Sequence, residues 1–305
     1  MAHDRKQGLY ATMVRDIMTV RQTRQLEASV RSILNCEKTR KLPAMKGMFP
    51  FRLGTTSYII PAAIIPNIRF LGPYVDEVEL VLFESEGEYS LPSPAEIEEM
   101  RHLAAEFDLV YNVHLPTDVF PGDEDPLLRD RFQQRTLRFI HGTSPLDPTV
   151  FILHCEGANA VGQRSTDLNA WINRTAESLE KLVHDGVDPH RIALENLEYV
   201  PEVLLPLAEH FGMSLCMDIG HLLRRGHSPL DQIQLLLSRC SMVHLHGVRE
   251  GRDHLGIHWI PEQTWDPIYR ALEQSFTGGV SLEVFSLEEL IPSLHRIYAA
   301  AKSSI

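Results

Sequence analysis

Six stretches of the chain place a metal-ligand type of side chain at, or one turn beyond, the end of a short apolar run. They read Tyr-Asn-Val-His114, Phe-Ile-Leu-His154, Ile-Ala-Leu-Glu195, Leu-Cys-Met-Asp218 with His221, Met-Val-His244 with His246, and Ser-Leu-Glu283. Imidazoles mixed with carboxylates suit Zn²⁺, Mn²⁺ or Fe better than Mg²⁺ or Ca²⁺. Carboxylates bring negative charge, and neutral imidazoles bring geometry without over-neutralising the ion. A bound divalent ion lowers the pKa of a water to near neutrality and stabilises developing negative charge. Taken singly, a histidine at a strand end is more often a hydrogen-bonded residue than a ligand. Six successive runs ending this way carry the reading, and Asp218-Ile-Gly-His221 adds to it because one turn brings both side chains to one place. Glu195, central in the series, is the natural bridge between ions, whose number stays open from one to three.

The elements that must position these groups alternate strand and helix eight times. Strands are expected near 51–57, 76–83, 108–114, 149–155, 191–196, 213–218, 240–246 and 279–284. The helices between and after them run from Pro61 to about Leu71, from Ser93-Pro94, over about 126–141 and 165–184, and from Pro201. Three more run from Ser228-Pro229 to about Leu237, from Pro261, and to about Ala301. Strict β-then-α alternation predicts a parallel sheet, and eight units match the size of a (β/α)8 TIM barrel. Catalytic groups at the carboxyl ends of several strands are what that barrel displays. A doubly wound open sheet is the rival. No Gly-rich fingerprint follows the first strand, Gly54-Thr-Thr-Ser, so no nucleotide cofactor is expected. Residues 1–47 form a separate helical N-terminal extension, with Leu9, Met13 and Ile17, then Leu26, Val30, Ile33 and Leu34, at helical spacing; the barrel takes 48–305.

Side chains two apart in a strand share a face. If Asp218 points inward, so do Cys216 and Ser214, while Met217 and Leu215 pack on helices. His244 brings Met242 and His246 inward, with Val243 and Leu245 outward; Glu283 brings Ser281, with Leu282 and Val280 outward. Each outward set is apolar, as a helix-facing side must be. Cys155, next to His154, faces the helices. On the second strand Glu79 and Glu84 are both candidates, but only one can point inward; Glu84 is assigned to substrate. Thr55, Thr56 and Ser57 end the first strand, where they bind substrate or close the strand, and Thr55 is assigned to substrate. Beyond strand seven, Arg249 and Arg252 suit a phosphate or carboxylate, and Asp253 and His254 suit a metal; a solvated charged loop is the alternative.

Bulk properties restrict the partner. The chain has 305 residues, 44% hydrophobic and 23% charged, enough for one large core. Residues 1–47 hold ten Lys/Arg and four acids, leaving 19 basic and 37 acidic residues of the total 29 and 41 for 48–305. A body with that excess of acid repels a polyanion, which points away from DNA and towards a small-molecule substrate. No apolar run is long enough for a membrane span and no secretory signal is evident. Four cysteines without paired spacing predict a reduced, cytoplasmic protein. The oligomeric state is open.

The order His, His, Glu, Asp-x-x-His, His, Asp/His loop, Glu over about 51–290 resembles the xylose-isomerase-like barrels, which include sugar-phosphate isomerases and epimerases and the endonuclease IV type of phosphodiesterase. The resemblance to the endonuclease branch implies a trinuclear site. His114 and His154 serve one ion, Glu195 bridges, Asp218, His244 and Glu283 serve a second, and His221 with Asp253/His254 serves a third. Asp253 and His254 are adjacent here, where that branch separates them by one residue. The isomerase branch implies a single ion on Glu195, Asp218, His244 (or His246) and Glu283. Phe51-Arg-Leu-Gly-Thr-Thr-Ser-Tyr-Ile-Ile-Pro61, Val78-Glu-Leu-Val-Leu-Phe-Glu84 and Val113-His-Leu-Pro116 are similar to the bacterial cobamide-remodelling phosphodiesterases. That likeness implies hydrolysis of the phosphate–riboside linkage of a cobamide nucleotide loop, with Glu195, Glu283 and His246 catalytic. The alternatives are a metal-dependent sugar or sugar-phosphate isomerase or epimerase, and a non-catalytic corrinoid- or sugar-binding barrel.

Overall fold

A computed structural model of the chain describes residues 42–43, 45–86, 91–155, 167–197 and 199–303. Eight parallel strands close into a barrel. Seven of them are β1 (Arg52–Thr56), β2 (Glu77–Val81), β3 (Val110–His114), β4 (Phe151–His154), β5 (Ile192–Glu195), β6 (Ser214–Asp218) and β7 (Cys240–Leu245). After a small hairpin of β8 (Gly247–Arg249) and β9 (Arg252–Leu255), the eighth, β10 (Gly279–Leu282), pairs with β1. The outer helices are α1 (Ile64–Leu71), α2 (Pro94–Phe107), α3 (Pro126–Thr143), α4 (Leu168–His184), α5 (Leu205–Phe211), α6 (Ile219–Arg224), α7 (Pro229–Leu236), α8 (Glu262–Ser275) and α9 (Leu287–Ser303). The fold is the (β/α)8 barrel expected. Its compact unit spans Leu42–Ile305. Lys46 donates to the Val75 carbonyl at 3.0 Å and the Gly47 amide to Asp76 at 2.7 Å, so the described residues just before 48 already pack on the barrel. The helical extension read for the N-terminus lies, up to Lys41, outside the described residues.

The helix starts carry their own stop and start chemistry. Ser93 accepts from the Glu96 amide while the Glu96 side chain returns to the Ser93 amide, a reciprocal capping box, with Pro94 in the first turn. Asp125, Asp167 and Ser228 cap α3, α4 and α7 in the same sense; each such cap stabilises a helix by about 1 kcal/mol. The helix expected from Pro61 begins instead at Ile64. Asn67 accepts from the Ile59 and Ile60 amides at 2.8 and 2.9 Å and holds that approach as a loop.

Strand register settles which side chains meet. Asp218 pairs with His244, His244 with Ser281, and His154 with Glu195, while Leu245 pairs with Leu282 and Met217 with Val243 on the other side. Ligand-type residues therefore share the inward face and aliphatic ones the helix-facing side. Below the carboxyl-end mouth, the interior between β4 and β7 is filled by Val150, Ile152, Ala193, Cys216 and Met242.

Two elements replace what reads as loop in the sequence. Asp218 accepts from the His221 amide at 2.7 Å and starts the short helix α6 directly at the strand end. After β7, the strands β8 and β9 pair as an antiparallel hairpin. Glu250 and Gly251, at φ 53° and 76°, make its turn; two central residues at positive φ match the right-handed strand twist. No helix among the described residues is long and apolar enough to cross a membrane.

Candidate metal centre

Glu195, at the end of β5, is the hub. His154 Nε2 lies 2.9 Å and His114 Nε2 3.3 Å from its Oε2, and His244 Nδ1 lies 2.8 Å from its Oε1. All but His154 are almost wholly buried. His114 holds its other ring nitrogen 3.0 Å from the Leu115 carbonyl. If Nδ1 carries the proton, that bond aims the Nε2 lone pair at Glu195, the usual second contact of a ligating histidine. Glu283 reaches the same place from β10, with Oε2 3.4 Å from His244 Nδ1. Ligand atoms of Glu195, Asp218, His244 and Glu283 all lie within 4.8 Å of one another, as do those of His114, His154 and Glu195.

A third group is made of imidazoles alone. His221, His246 and His254 also offer nitrogens within 4.8 Å of one another. Local structure builds it piece by piece. Asp218 caps α6 and so fixes His221 one turn on. Gly220 leaves room for the His246 ring, because a Cβ there would lie 2.0 Å from His246 Cε1. The His254 amide lies 3.0 Å and the Gly247 carbonyl 3.4 Å from His246 Nδ1, and His246 Nε2 lies 3.2 Å from Asp218 Oδ1. His254 itself sits at φ 53° and places Nε2 3.4 Å from Glu283 Oε2, tying this group to the first.

The charges are mutually dependent. Burial alone would raise the Glu195 carboxyl, but the His244 and His154 imidazoles hold it well below the usual carboxylate range; Glu283 is held down likewise by His254 and His244. Burial would lower His254, yet Glu283 and Asp253 push it up to about 10. In the absence of an ion, protons on imidazoles balance the carboxylates. A divalent cation at the same position supplies that positive charge, and the donor set fits one. Glu195 Oε2, Glu283 Oε2 and His221 Nδ1 are buried and complete no aligned hydrogen bond among the described residues, the mark of polar atoms awaiting a ligand.

Of the residues singled out in the sequence, His114, His154, Glu195, Asp218, His221, His244, His246, His254 and Glu283 come together here. The others fall differently. Asp253, expected with His254 at a third ion, falls outside the ligand group: it pairs with Arg224 and lies 3.4 Å from His254 Nδ1, and His246 stands in the group instead. Thr55 does not face the site. It pairs in register with Leu282 and Val78 on the helix-facing side, and its hydroxyl donates to the Leu282 carbonyl at 2.7 Å. Glu84 is exposed past the end of β2, where its charge, after burial, helps raise the Tyr58 hydroxyl. Of the two candidates it is Glu79, within β2, that faces inward, 3.1 Å from His244 Nε2. Arg249 and Arg252 are exposed on the hairpin, with the Arg249 guanidinium stacked 4.2 Å over Trp259. Asn196 escaped notice in the sequence; its side chain receives the Asp218 amide at 2.9 Å and donates to the Asp218 carbonyl at 3.2 Å, clamping β5 to β6 beside the ligands.

Solved structures with the same architecture differ in chemistry. A D-tagatose 3-epimerase-like protein superposes with a TM-score of 0.67 at 20% identity, covering 83% of this chain and 98% of its own. Endonuclease IV from Thermus thermophilus gives 0.60 at 17% identity, covering 83% and 99%. The 3-keto-D-glucoside 4-epimerase of E. coli gives 0.60 at 12% identity, covering 83% and 99%. At these identities the likeness establishes the fold alone. No curated protein sequence matches the chain. The profile of one family, described as a xylose isomerase-like TIM barrel, matches residues 74–301, and the chain belongs to that family.

Proposed function

We propose that the protein is a metal-dependent phosphodiesterase acting on a small molecule, and that its substrate is a cobamide cut at the phosphate–riboside linkage of the nucleotide loop. The products are a cobinamide phosphate and a free α-riboside. The observation that carries the phosphodiesterase reading is the continuity of three ligand groups through Glu195 and Glu283. A single-ion isomerase has no evident use for His114, His154, His221, His246 and His254 together. The cobamide assignment is supported by the local resemblance of 51–61, 78–84 and 113–116. The acidic balance of the barrel disfavours a polyanionic substrate.

A divalent ion in this centre would lower the pKa of a water and stabilise the charge that builds on the phosphoryl oxygens. The chain supplies the rest. Glu195 and Glu283 gather the ligand groups, and His114 is oriented by its bond to Leu115. Phe83 and Phe285, whose centroids are 5.8 Å apart, stand beside His114 and His254 and give the site an apolar wall. Arg249 and Arg252 provide exposed cations on the hairpin for a phosphate.

Incubation with coenzyme B12, with and without Zn²⁺, Mn²⁺ or Fe²⁺, is expected to release α-ribazole; no release under any of these conditions rejects the cobamide reading. A second reading, sugar epimerisation, is favoured by the Glu195, Asp218, His244, Glu283 quartet. In it Glu195 and Glu283 act as the proton-transfer pair, and exchange of solvent deuterium into ketoses identifies it.

A further inference from the structure

Glu79 lies in the interior of the barrel, on β2, and is fully buried. Neither of its oxygens completes a hydrogen bond among the described residues. Arg52, on the same inward side, is committed to Glu77 at 3.4 Å. The side chain across from Glu79 in register is Asn112, whose amide atoms likewise complete no aligned hydrogen bond among the described residues. The basic group that does reach Glu79 is His244, with Nε2 3.1 Å from Oε2.

His244 therefore stands between carboxylates on both edges of its ring. Its Nδ1 edge faces Glu195 at 2.8 Å, Glu283 at 3.4 Å and Asp218 at 4.0 Å. Its Nε2 edge faces Glu79. A neutral imidazole carries one proton, and the two placements are not equivalent. With the proton on Nδ1, a lone pair is turned towards the buried Glu79 oxygen, which then has no donor, and the nitrogen next to the carboxylate cluster cannot bind a cation. With the proton on Nε2, Glu79 gains a donor, and the Nδ1 lone pair joins the cluster where a cation is attracted. A buried carboxyl oxygen left without a donor is destabilised, and only the second arrangement supplies one, so the geometry favours it.

We propose that Glu79 is the positioning residue of the metal centre, accepting the Nε2 proton of His244 so that Nδ1 is presented to the ion. The 3.1 Å contact is off the line of a hydrogen bond as it stands, so the ring or the carboxylate turns into line when the ion binds. Carboxylate–histidine–metal relays of this kind fix the ligand's tautomer and raise its basicity, and losing the outer partner lowers metal affinity about 10- to 100-fold. The inference rests on the metal centre proposed above and is independent of the reaction assigned to it.

The test measures metal binding rather than turnover. Glu79→Gln, which is isosteric and keeps an acceptor, and Glu79→Ala, which does not, are compared with the wild type for Zn²⁺ affinity and for the visible spectrum of the Co²⁺-loaded protein. The expected order of affinity is wild type, then Gln, then Ala, with a loss of about 10- to 100-fold for Ala. An altered Co²⁺ spectrum and an unchanged melting temperature of the metal-free Gln variant are expected with it. Equal affinity and identical spectra in all three proteins overturn the proposal. Should Glu79→Ala fail to fold, ¹⁵N NMR of the Zn²⁺-loaded wild type decides: a proton on His244 Nε2 supports the proposal and a proton on Nδ1 refutes it. Wild type that binds no divalent ion removes the metal centre itself, whereas wild type that binds one as tightly as Glu79→Gln and Glu79→Ala removes only the role of Glu79.

Discussion

The quartet Glu195, Asp218, His244 and Glu283 and the trio His221, His246 and His254 are neighbours built by different means. The quartet stands at the ends of four adjacent strands, β5, β6, β7 and β10, and its geometry is a consequence of barrel register. Within the trio only His246 follows a strand directly. His221 hangs on a six-residue helix and His254 on a hairpin at positive φ. Four of the trio's supports are local: the Asp218 cap, the space at Gly220, the His254 amide on His246, and the Arg224–Asp253 pair. A group rich in carboxylates, placed by strand register, is thus joined to a group rich in imidazoles, placed by local contacts.

Glu195→Gln tests whether the two behave as one centre, and it carries the largest expected effect. Glu195 belongs to every carboxylate-containing ligand group among the described residues and has His244, His114 and His154 around it. Turnover is expected to fall by roughly 10³-fold or more, about 4 kcal/mol of transition-state stabilisation. Metal analysis of the same protein is expected to show loss beyond one group. If metal content falls only slightly, the groups are independent and Glu195 is not the bridge.

That asymmetry also explains what could be read in the sequence. Strand-end ligands are legible because a period of two fixes which residues share a face. The apolar outward sets at 215 and 217, 243 and 245, and 280 and 282 made the inward sets readable. Glu79 and Glu84 show the limit: an odd spacing says that only one faces in, but not where the strand stops. β2 ends at Val81, so the choice falls on Glu79. The hairpin was illegible because its turn uses Glu250-Gly251 rather than an Asn-Gly or Asp-Gly pair. With it went the fate of Asp253, since only the paired strands show it turned towards Arg224. Thr55 was misplaced for the converse reason: it lies in a strand, on the side facing the helices.

His254→Ala sharpens the comparison from the side of the trio. Among the described residues, the ion-pair contact of His254 with the quartet is to Glu283, at 3.4 Å. Activity is expected to drop by about 10²-fold, or ~2.7 kcal/mol, while metal bound at the quartet persists. Complete loss of metal would show that the trio is a structural part of the first group. Gly220→Ala attacks the same group without removing a ligand. The new methyl would lie 2.0 Å from His246 Cε1 and must push the ring aside. Overpacking of this kind costs about 1–3 kcal/mol, to be seen as a lowered melting temperature together with weaker binding of the most loosely held ion. Unchanged metal binding despite lost stability would mean that the His246 ring is not a ligand.

Arg224→Met is the mildest of these changes and isolates how the hairpin is held. Arg224 pairs with Asp253, and Asp253 lies 3.4 Å from His254 Nδ1, so the cation orients the carboxylate that orients the imidazole. Burial raises the Asp253 carboxyl, but the hydrogen bond and charge of His254, then the Arg224 guanidinium, hold it far below the usual carboxylate range. Removing the guanidinium leaves Asp253 ionised through His254 but free to swing. Both partners are partly exposed, at 27% and 18% of their side chains, so solvent weakens the pair. Metal affinity at the trio is expected to fall by less than tenfold, below the range typical of losing an outer-shell partner outright, and the quartet is expected to be untouched. A fall as large as that of His254→Ala would mean that Arg224 and Asp253, rather than the hairpin backbone, hold His254 in place.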